Sequence, residues 1–372
     1  MVGLAAVLLN RVRWWRYRIP FRTPFATAHG VLTQREGLLI EMISDAGVRG
    51  LGEVAPLPGF GGSVEAMWRQ LPDVARDLLE RWSDDPNVEE WWPAALRCGV
   101  ETALLDIASR NADCALSALL QAARRLTVPV NATVGTADTA GAADRAASAV
   151  AAGFATIKLK VGLEVSEEAE VARVAAVRNA IGPDSRLRLD ANAAWTVETA
   201  ISIIRRCEAF RLEWVEQPVA AADVAGLARV RRAVRTPVAA DESVTGADSV
   251  RALLAAGAAD VLILKPMMLG GPAATLQVAE LARAAGVECV VTSTLETGIG
   301  LAASAHAAAA LPEPWHACGL ATAELLDDDL LEESLRIKRG QLLLPEGTGL
   351  GIQLDWGRLR HYTVASGELA AR

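Results

Sequence analysis

The sequence predicts an α/β protein built around a parallel β/α barrel, with a second domain of the α+β class. Charged residues end five short apolar runs, at steps of 30, 26, 25 and 24 residues: Lys160, Asp190, Glu216, Asp241 and Lys265. Each step is the length of one strand and one helix. Apolar runs followed by amphipathic segments are typical of buried parallel strands. Because the carboxyl ends of barrel strands surround one mouth, we expect these five side chains to share a pocket.

Chain length and changes of pattern predict the domain organisation. The chain has 372 residues, whereas an eight-stranded barrel needs roughly 250. Two extended segments, 37–44 and 48–54, flank the turn signal Asp45-Ala46-Gly47, which indicates antiparallel strands. Helical spacing follows, and strand-helix alternation begins near Val128. The predicted parts are an α+β domain over 1–125, a barrel over 126–325, and a C-terminal segment over 326–372 that returns to the first domain.

Composition excludes several classes of function. A net charge of −8 argues against nucleic-acid binding, and the arginines between residues 11 and 22 fit the exposed side of a strand. No uncharged apolar run reaches the roughly eighteen residues of a membrane span, and residues 2–9 lack the charge order of a secretory signal. The five cysteines are widely spaced without a Cys-x-x-Cys pair, which is typical of a reducing compartment. We expect a cytoplasmic enzyme.

Three of the strand-end residues are acids that suit a metal ion. Asp190, Glu216 and Asp241 supply hard oxygen ligands, with no histidine or cysteine close to them in the sequence. This donor set favours Mg²⁺, or Mn²⁺, over zinc. Each acid alone could equally be a helix cap or a surface residue. Their shared position in three consecutive units predicts a metal site.

The lysines predict a general base. Lys158 and Lys160 lie on one face of a strand, with Cα atoms about 6.6 Å apart. We expect mutual repulsion and burial to lower the pKa of both, so that one could act as a base near neutral pH. In the alternative, one or both only pair with the acids. Lys265 faces the same pocket from farther around the ring and could approach the opposite face of a bound molecule.

A lysine base opposite a divalent metal suits the removal of a proton α to a carboxylate. Such a proton is very weakly acidic, and a metal that coordinates the carboxylate oxygens stabilises the enediolate that forms. The residues themselves leave racemisation, cycloisomerisation and loss of water open.

With Lys158-x-Lys160, Asp190, Glu216, Asp241 and Lys265 in this order, the chain resembles the muconate-lactonising-enzyme branch of the enolase superfamily over nearly its whole length. Within that branch, three motifs and Arg188 resemble the o-succinylbenzoate synthase family of menaquinone biosynthesis; the motifs are Arg35-Glu36-Gly37, Gly50-Leu51-Gly52-Glu53 and Pro56-Leu57-Pro58-Gly59-Phe60. The resemblance implies a (β/α)₇β barrel with an α+β capping domain. A capping-domain loop would close over a small carboxylate substrate.

The same resemblance implies a reaction and roles for single residues. The reaction would be dehydration of 2-succinyl-6-hydroxy-2,4-cyclohexadiene-1-carboxylate to o-succinylbenzoate. Lys160 would abstract the α proton and then protonate the departing hydroxyl, while Lys265 would stay protonated and stabilise the enediolate. Asn192 is also expected to support the metal ligands by hydrogen bonding. The residues expected at the substrate are Arg188, Asn192, Ser293, Thr294, Glu296, Pro58, Gly59 and Phe60.

Several alternatives stay open at this point. Ser293, Thr294 and Glu296 could instead cap the helix that starts near Gly298. A lysine on each face would also suit an N-acylamino-acid racemase, or another cycloisomerase or epimerase of the branch. Ala321 stands where some relatives have an acid, which disfavours dipeptide epimerisation. A barrel that only binds ligands is the remaining class, and the complete set of lysines and acids argues against it. The sequence leaves the oligomeric state open.

Overall fold

The N-terminal region folds as an antiparallel meander followed by helices. The structure is a computed structural model that describes residues 7–27, 30–57, 62–81, 92–121, 125–135, 138–164 and 166–371. Pro58, Gly59 and Phe60, which the sequence predicts at the substrate, lie outside these residues. The first elements are β1 (Leu9–Thr27), β2 (Gly30–Ser44), β3 (Arg49–Val54), α1 (Val64–Arg81), α2 (Ala94–Asn111) and α3 (Leu116–Leu120). Strands β1, β2 and β3 pair antiparallel, which confirms the expected meander.

Two glycines let helix α2 lie directly against strand β3. A Cβ atom at Gly50 would overlap the carbonyl oxygen of Ala103, and one at Gly52 would overlap that of Gly99. Only glycine permits such close approach of two backbones. The Gly50-Leu51-Gly52-Glu53 motif therefore fixes the end of β3, where Glu53 lies, relative to α2.

Seven β/α units then form the barrel. After β4 (Thr127–Pro129), the elements are β5 (Ala132–Val134), α4 (Thr139–Ala151), β6 (Thr156–Lys160), α5 (Glu167–Ile181), β7 (Arg186–Asp190), α6 (Val197–Cys207), β8 (Leu212–Glu216), α7 (Val224–Ala233), β9 (Val238–Ala240), α8 (Ala247–Ala256), β10 (Val261–Leu264), α9 (Pro266–Leu269), α10 (Pro272–Ala284), β11 (Glu288–Val291) and α11 (Gly298–Ala310). The seven strands β5 to β11 are parallel neighbours in chain order. Side-chain caps begin four of these helices; the capping residues are Asp138, Ser166, Thr196 and Asp223.

A short segment that contains Cys318 and Gly319 closes the ring between β11 and the start of β5. The Cys318 amide donates to the Pro129 carbonyl at 2.7 Å, and the Gly319 amide donates to the Val291 carbonyl at 3.1 Å. Cys318 forms a parallel bridge with Val130, and Gly319 forms one with Thr292. The segment is the eighth strand, so the (β/α)₇β expectation is confirmed.

The C-terminal segment crosses back to the first domain. It contains β12 (Ile337–Lys338), β13 (Gln341–Leu343), α12 (Trp356–Tyr362) and β14 (Thr363–Ala370). Strand β13 pairs with β4, whereas β14 pairs antiparallel with β1. Across this last pairing, Arg13 Nε donates to Glu368 Oε2 at 2.6 Å. The C-terminal strand therefore belongs to the N-terminal sheet, while the domain bounds at 125 and 325 stay predictions.

Acidic side chains of the capping domain receive the first amides of barrel helices. Glu101 of α2 accepts a hydrogen bond from the Ala273 amide, at the start of α10, at 2.9 Å. Burial raises the pKa of Glu101 to about 7, although amide donors at the helix start act in the opposite direction. The first amides of a helix lack partners inside that helix, and its N-terminus attracts negative charge. The two domains are thus joined by polar contacts as well as by apolar packing.

No helix within the described ranges is long and apolar enough to cross a membrane.

Candidate active site

The strand ends bring the predicted lysines and acids to one mouth. Lys160, Asp190 and Glu216 lie in register at the ends of neighbouring strands β6, β7 and β8. Asp241 and Lys265 follow directly after β9 and β10. The three acids are only 0%, 1% and 5% exposed. The structure therefore places all five residues in one buried ring.

The ring is a network of ion pairs. Lys158 Nζ lies 3.0 Å from both Asp190 Oδ2 and Glu216 Oε1. Lys160 Nζ lies 2.6 Å from Asp190 Oδ2, and Lys265 Nζ donates to Asp241 Oδ1. Three ammonium groups thus neutralise three buried carboxylates, as burial of charge requires.

The expected lowering of the lysine pKa values is wrong for Lys158. Burial acts to lower its pKa, but attraction to Asp190, Glu216 and Asp241 outweighs burial and raises the pKa well above that of a free lysine. The pKa of Lys265 is also raised, because Asp241 and nearby acids outweigh its burial. Repulsion between the two lysines alone would lower the pKa of both, but attraction to the acids reverses this effect for Lys158.

The pKa values of two acids of the ring, Asp190 and Glu216, are shifted in opposite directions. Burial acts to raise the pKa of Asp190, but Lys158 and Lys160 outweigh it and hold that pKa well below its usual range. Burial and repulsion from Asp190 and Asp241 raise the pKa of Glu216 above its ordinary value. A positive charge beside Glu216 would therefore favour its ionised form.

Asn192 and Glu242 extend the network beside Lys160. Lys160 Nζ donates to Asn192 Oδ1 at 2.6 Å, and Asn192 Nδ2 donates to Glu242 Oε1 at 2.9 Å. The backbone of Asn192 has a φ of 43°, in the left-handed region that asparagine tolerates better than most residues. Sequence reasoning missed Glu242, although its position directly after Asp241 at a strand end was a usable signal. Burial, followed by repulsion from Asp241, raises the pKa of Glu242 to about 7.

Arg188 lies one layer below the ring, in the floor of the barrel. Its Nε donates to Glu213 Oε2 at 2.6 Å and its Nη1 donates to the Ala317 carbonyl at 2.6 Å. The guanidinium also stacks over the Trp214 ring, 3.7 Å from the centroid. Burial lowers the pKa of Arg188 despite the Glu213 carboxylate. Within the described residues, Nη2 is buried and has no hydrogen-bond partner.

The loop after β11 is held mainly by its own side chains. Glu296 accepts hydrogen bonds from the Thr294 amide at 2.8 Å and from Thr294 Oγ1 at 2.5 Å. The Ser293 hydroxyl shares a hydrogen bond with Thr322 Oγ1 at 2.8 Å. The first amides of α11 are instead taken by Glu53 of the capping domain. Capping of α11 by the Ser293, Thr294 and Glu296 side chains, one of the alternatives from the sequence, is therefore not what the structure shows.

The three acids suit a hard divalent cation by donor type and burial. Asp190 and Glu216 already share one positive group, the Lys158 ammonium, and all three acids offer only oxygen donors, as Mg²⁺ prefers. In the arrangement seen among the described residues, no three acidic, histidine or cysteine side chains form a group that could hold a metal ion. The ammonium groups of Lys158, Lys160 and Lys265 contact these carboxylates instead.

Comparison with known proteins places this site in a family. A family model described as "Enolase C-terminal domain-like" matches residues 141–358, which is more than half of the chain. This chain belongs to the enolase superfamily. A second model, "MenC, N-terminal domain", matches residues 9–107. The members of this superfamily are enzymes, and they generally use Mg²⁺.

The relatives of this chain catalyse several reactions. The o-succinylbenzoate synthase of Thermobifida fusca (strain YX) is 38% identical over 327 residues, 88% of this chain and 85% of that protein. The hydrophobic dipeptide epimerase of Enterococcus faecalis is 31% identical, over 90% of this chain and 96% of the relative. The N-succinyl-L-Arg/Lys racemase of Bacillus cereus is 27% identical, over 81% and 84% respectively. The chain therefore belongs to a branch whose members include a synthase, an epimerase and a racemase.

Solved structures agree with the barrel and capping domain. Muconate lactonizing enzyme from Pseudomonas fluorescens, complexed with muconolactone, superposes with a TM-score of 0.89 at 28% identity, covering 96% of this chain and 100% of that one. A dipeptide epimerase from Enterococcus faecalis V583, complexed with Mg and the dipeptide L-Leu-L-Tyr, gives a TM-score of 0.85 at 28% identity, covering 93% and 99%. That relative was solved with the metal and a small carboxylate ligand.

Replacing Lys158 with Met removes the ammonium that Asp190 and Glu216 share. We expect the metal-free variant to lose about 3–5 kcal/mol of unfolding free energy near pH 8, because two buried carboxylates lose their partner. Since the folded pKa of Glu216 is raised, the folded state binds its proton more tightly, and stability from this group falls as the pH rises through that pKa. The loss should therefore be smaller at pH 5 than at pH 8, as measured by urea unfolding in EDTA.

Lys338→Met is the matched control, because Lys338 is an exposed lysine on strand β12. We expect its unfolding free energy to change by less than about 0.5 kcal/mol at either pH. An equal loss for Lys158→Met at pH 5 and pH 8 would contradict the charge balance described for the ring.

Proposed function

We propose that this protein is an o-succinylbenzoate synthase, which dehydrates 2-succinyl-6-hydroxy-2,4-cyclohexadiene-1-carboxylate. The observation that carries the proposal is the buried ring of three lysines and three acids at the barrel mouth. The choice of reaction within the branch is supported by the match of residues 9–107 to the MenC N-terminal domain and by the 38% identity to the Thermobifida fusca synthase. This function would place the protein in menaquinone biosynthesis and in the cytoplasm.

Lys160 is the proposed base. The ammonium that pairs with Asp190 must first lose a proton. The neutral amine then takes the proton α to the substrate carboxylate, and the resulting ammonium gives that proton to the departing hydroxyl, so that water leaves and the ring becomes aromatic. Asn192 Oδ1, which lies 2.6 Å from Lys160 Nζ, holds the amine in position, and Glu242 fixes the orientation of the Asn192 amide. A base held in one place at the reacting carbon is the geometry that proton transfer requires.

Lys265 is the proposed electrostatic partner. Its pKa is raised by nearby acids against the effect of burial, so it carries a positive charge at neutral pH. A fixed charge at the mouth stabilises the negative charge that develops on the substrate carboxylate when the α proton leaves. Lys158, whose pKa is also raised, adds a second fixed charge beside Asp190 and Glu216.

Mg²⁺ is the proposed cofactor, and Mn²⁺ would satisfy the same donors. The residues that would hold it are Asp190, Glu216 and Asp241. A bound divalent ion supplies Lewis-acid stabilisation of the enediolate. The raised pKa of Glu216 marks the carboxylate that gains most from such a charge.

The succinyl end of the substrate is assigned to the loop after β11. The hydroxyl groups of Ser293 and Thr294 are the proposed contacts to its carboxylate. Ser293 can donate to it when Thr322 Oγ1 is the donor of the bond that these two hydroxyls share. Thr294 Oγ1 donates to Glu296, so it would exchange that bond for one to the substrate. Glu296 is occupied by Thr294, so we assign it a supporting role in this loop. Arg188, Pro58, Gly59 and Phe60 stay predicted substrate contacts.

Racemisation of N-succinyl amino acids is the second candidate. Lys160 ends strand β6 and Lys265 directly follows strand β10, so that a molecule bound between them would present a different face to each. A racemase needs a proton donor on either face of the α carbon. The Bacillus cereus racemase shows that the branch includes this activity.

Lys160→Ala should abolish dehydration while leaving the metal ligands in place. We expect turnover to fall by about 10⁴-fold, because the general base for a very weak carbon acid is lost. The ultraviolet change as the cyclohexadiene substrate becomes aromatic measures the rate, with Mg²⁺ and with EDTA. Lys338→Ala, a change at an exposed lysine, should retain the native rate.

Folded native protein that binds Mg²⁺ but does not dehydrate this substrate would contradict the synthase assignment. Exchange of the α proton of N-succinyl amino acids in D₂O would then establish the second candidate. Equal rates for native protein and Lys160→Ala would contradict the role of Lys160 in either reaction.

Mg²⁺ should stabilise the native fold through Asp190, Glu216 and Asp241. At 100 times its dissociation constant, a ligand adds about 2.7 kcal/mol to the unfolding free energy, and thermal unfolding with and without Mg²⁺ measures this. Asp241→Asn should lose the increment. Glu213→Gln is the matched control, because this acid lies on the same strand as Glu216 but pairs with Arg188 in the floor; its increment should be unchanged. An unchanged increment in Asp241→Asn would contradict the proposed ligand set.

A further inference from the structure

Arg35 joins two segments that border the barrel mouth. It is 2% exposed and donates to backbone carbonyl oxygens on both sides of the domain interface. On the barrel side, Nε donates to Leu295 at 2.9 Å and Nη2 donates to Thr294 at 3.1 Å. On the capping side, Nη1 donates to Pro56 at 2.9 Å and Nη2 donates to Ala55. One planar guanidinium therefore sets the distance between residues 55–57 and the β11 loop, which we define as residues 293–296.

Glu53 fixes the other end of the β11 loop. Its carboxylate accepts from the Thr297 amide at 2.9 Å, from Thr297 Oγ1 at 2.7 Å and from the Gly300 amide at 2.8 Å. It also accepts from the Tyr17 hydroxyl at 2.5 Å. The carboxylate thus caps helix α11 from the other domain, where the helix dipole favours negative charge.

The β11 loop has a conformation that needs this support. Leu295 has a φ of 63°, in the left-handed region that residues with a side chain adopt only at an energetic cost. The carbonyl of this same residue accepts the Arg35 bond. A conformation of this kind persists only where surrounding contacts hold it.

We propose that Arg35 and Glu53 form a clamp that positions the β11 loop for the distal carboxylate of the substrate. This inference rests on the proposed function, which assigns that carboxylate to Ser293 and Thr294. Arg35 and Glu53 are positioning residues, since they act through the loop and not on the reacting atoms. The base Lys160 and the three acids lie on strands β6 to β9 and in the turn after β9, so the clamp affects substrate binding more than the proton transfer.

Arg35→Lys tests the clamp. A single ammonium cannot reproduce the planar fork that bridges carbonyls of two segments. We expect KM for the cyclohexadiene substrate to rise about tenfold while kcat stays within about threefold, the pattern of lost ground-state binding. Hydrogen–deuterium exchange should become faster in peptides that cover residues 292–300 and 50–57 together.

Arg178→Lys is the matched control for a buried arginine. Arg178 also donates to backbone carbonyls, among them Phe210, Gly182 and Ser185, but these lie away from the mouth. We expect this variant to lose stability with KM unchanged and with no faster exchange in the β11 loop. A merely structural role for Arg35 would give the same result as this control.

Glu53→Gln is the second variant, in case Arg35→Lys does not fold. The amide keeps the shape of the side chain but offers one acceptor where Glu53 offers two, so exchange at the start of α11 should become faster and KM should rise. Unchanged exchange in the β11 loop, or a fall in kcat with KM unchanged, would overturn the clamp. If the native protein does not dehydrate the substrate, the proposed function fails, and the exchange measurements still decide whether the clamp exists.

Discussion

The molecule depends on the neutralisation of charge inside the barrel mouth. Parallel strands end at one ring, and this ring collects acids and ammonium groups where water is largely absent. A buried carboxylate without a partner would cost several kcal/mol. Lys158, shared by Asp190 and Glu216 at 3.0 Å each, is therefore as necessary to the fold as to the chemistry. The same charges that hold the strands together are available to a metal ion and a substrate carboxylate.

The second constraint is the junction between the two domains. Acids of the capping domain take the first amides of two barrel helices, Glu101 at α10 and Glu53 at α11. Arg35 adds bonds to the loop that precedes α11. Arg35 and Glu53 are buried and Glu101 is half-buried, and all three are hydrogen-bonded, so the junction is specified by geometry and not only by apolar area. The capping domain thereby fixes one side of the mouth.

Errors in the analysis of the sequence came from contacts between distant parts of the chain. The expected lowering of the lysine pKa values came from Lys158 and Lys160, which are neighbours on one strand. The acids that pair with Lys158 lie 30 and more residues away in the chain. Glu242 was missed because its role depends on Asn192, which lies 50 residues earlier. Arg188 stays a predicted substrate contact, and its bonds to Glu213 and Ala317 join distant parts of the chain. Spacing along the chain does not report which donors are already used.

The sequence by itself determined the fold class, the order of the units and the residues at the strand ends. These follow from local periodicity, because a strand and a helix have characteristic lengths and the carboxyl ends of parallel strands must meet. The sequence also contains the motifs around Arg35 and Glu53, but it does not indicate their structural role. Only the tertiary structure decided which charges pair, which way each pKa moves, and which helix starts the capping domain holds. These depend on distances across the barrel and on burial, and neither quantity is a property of any local stretch of chain.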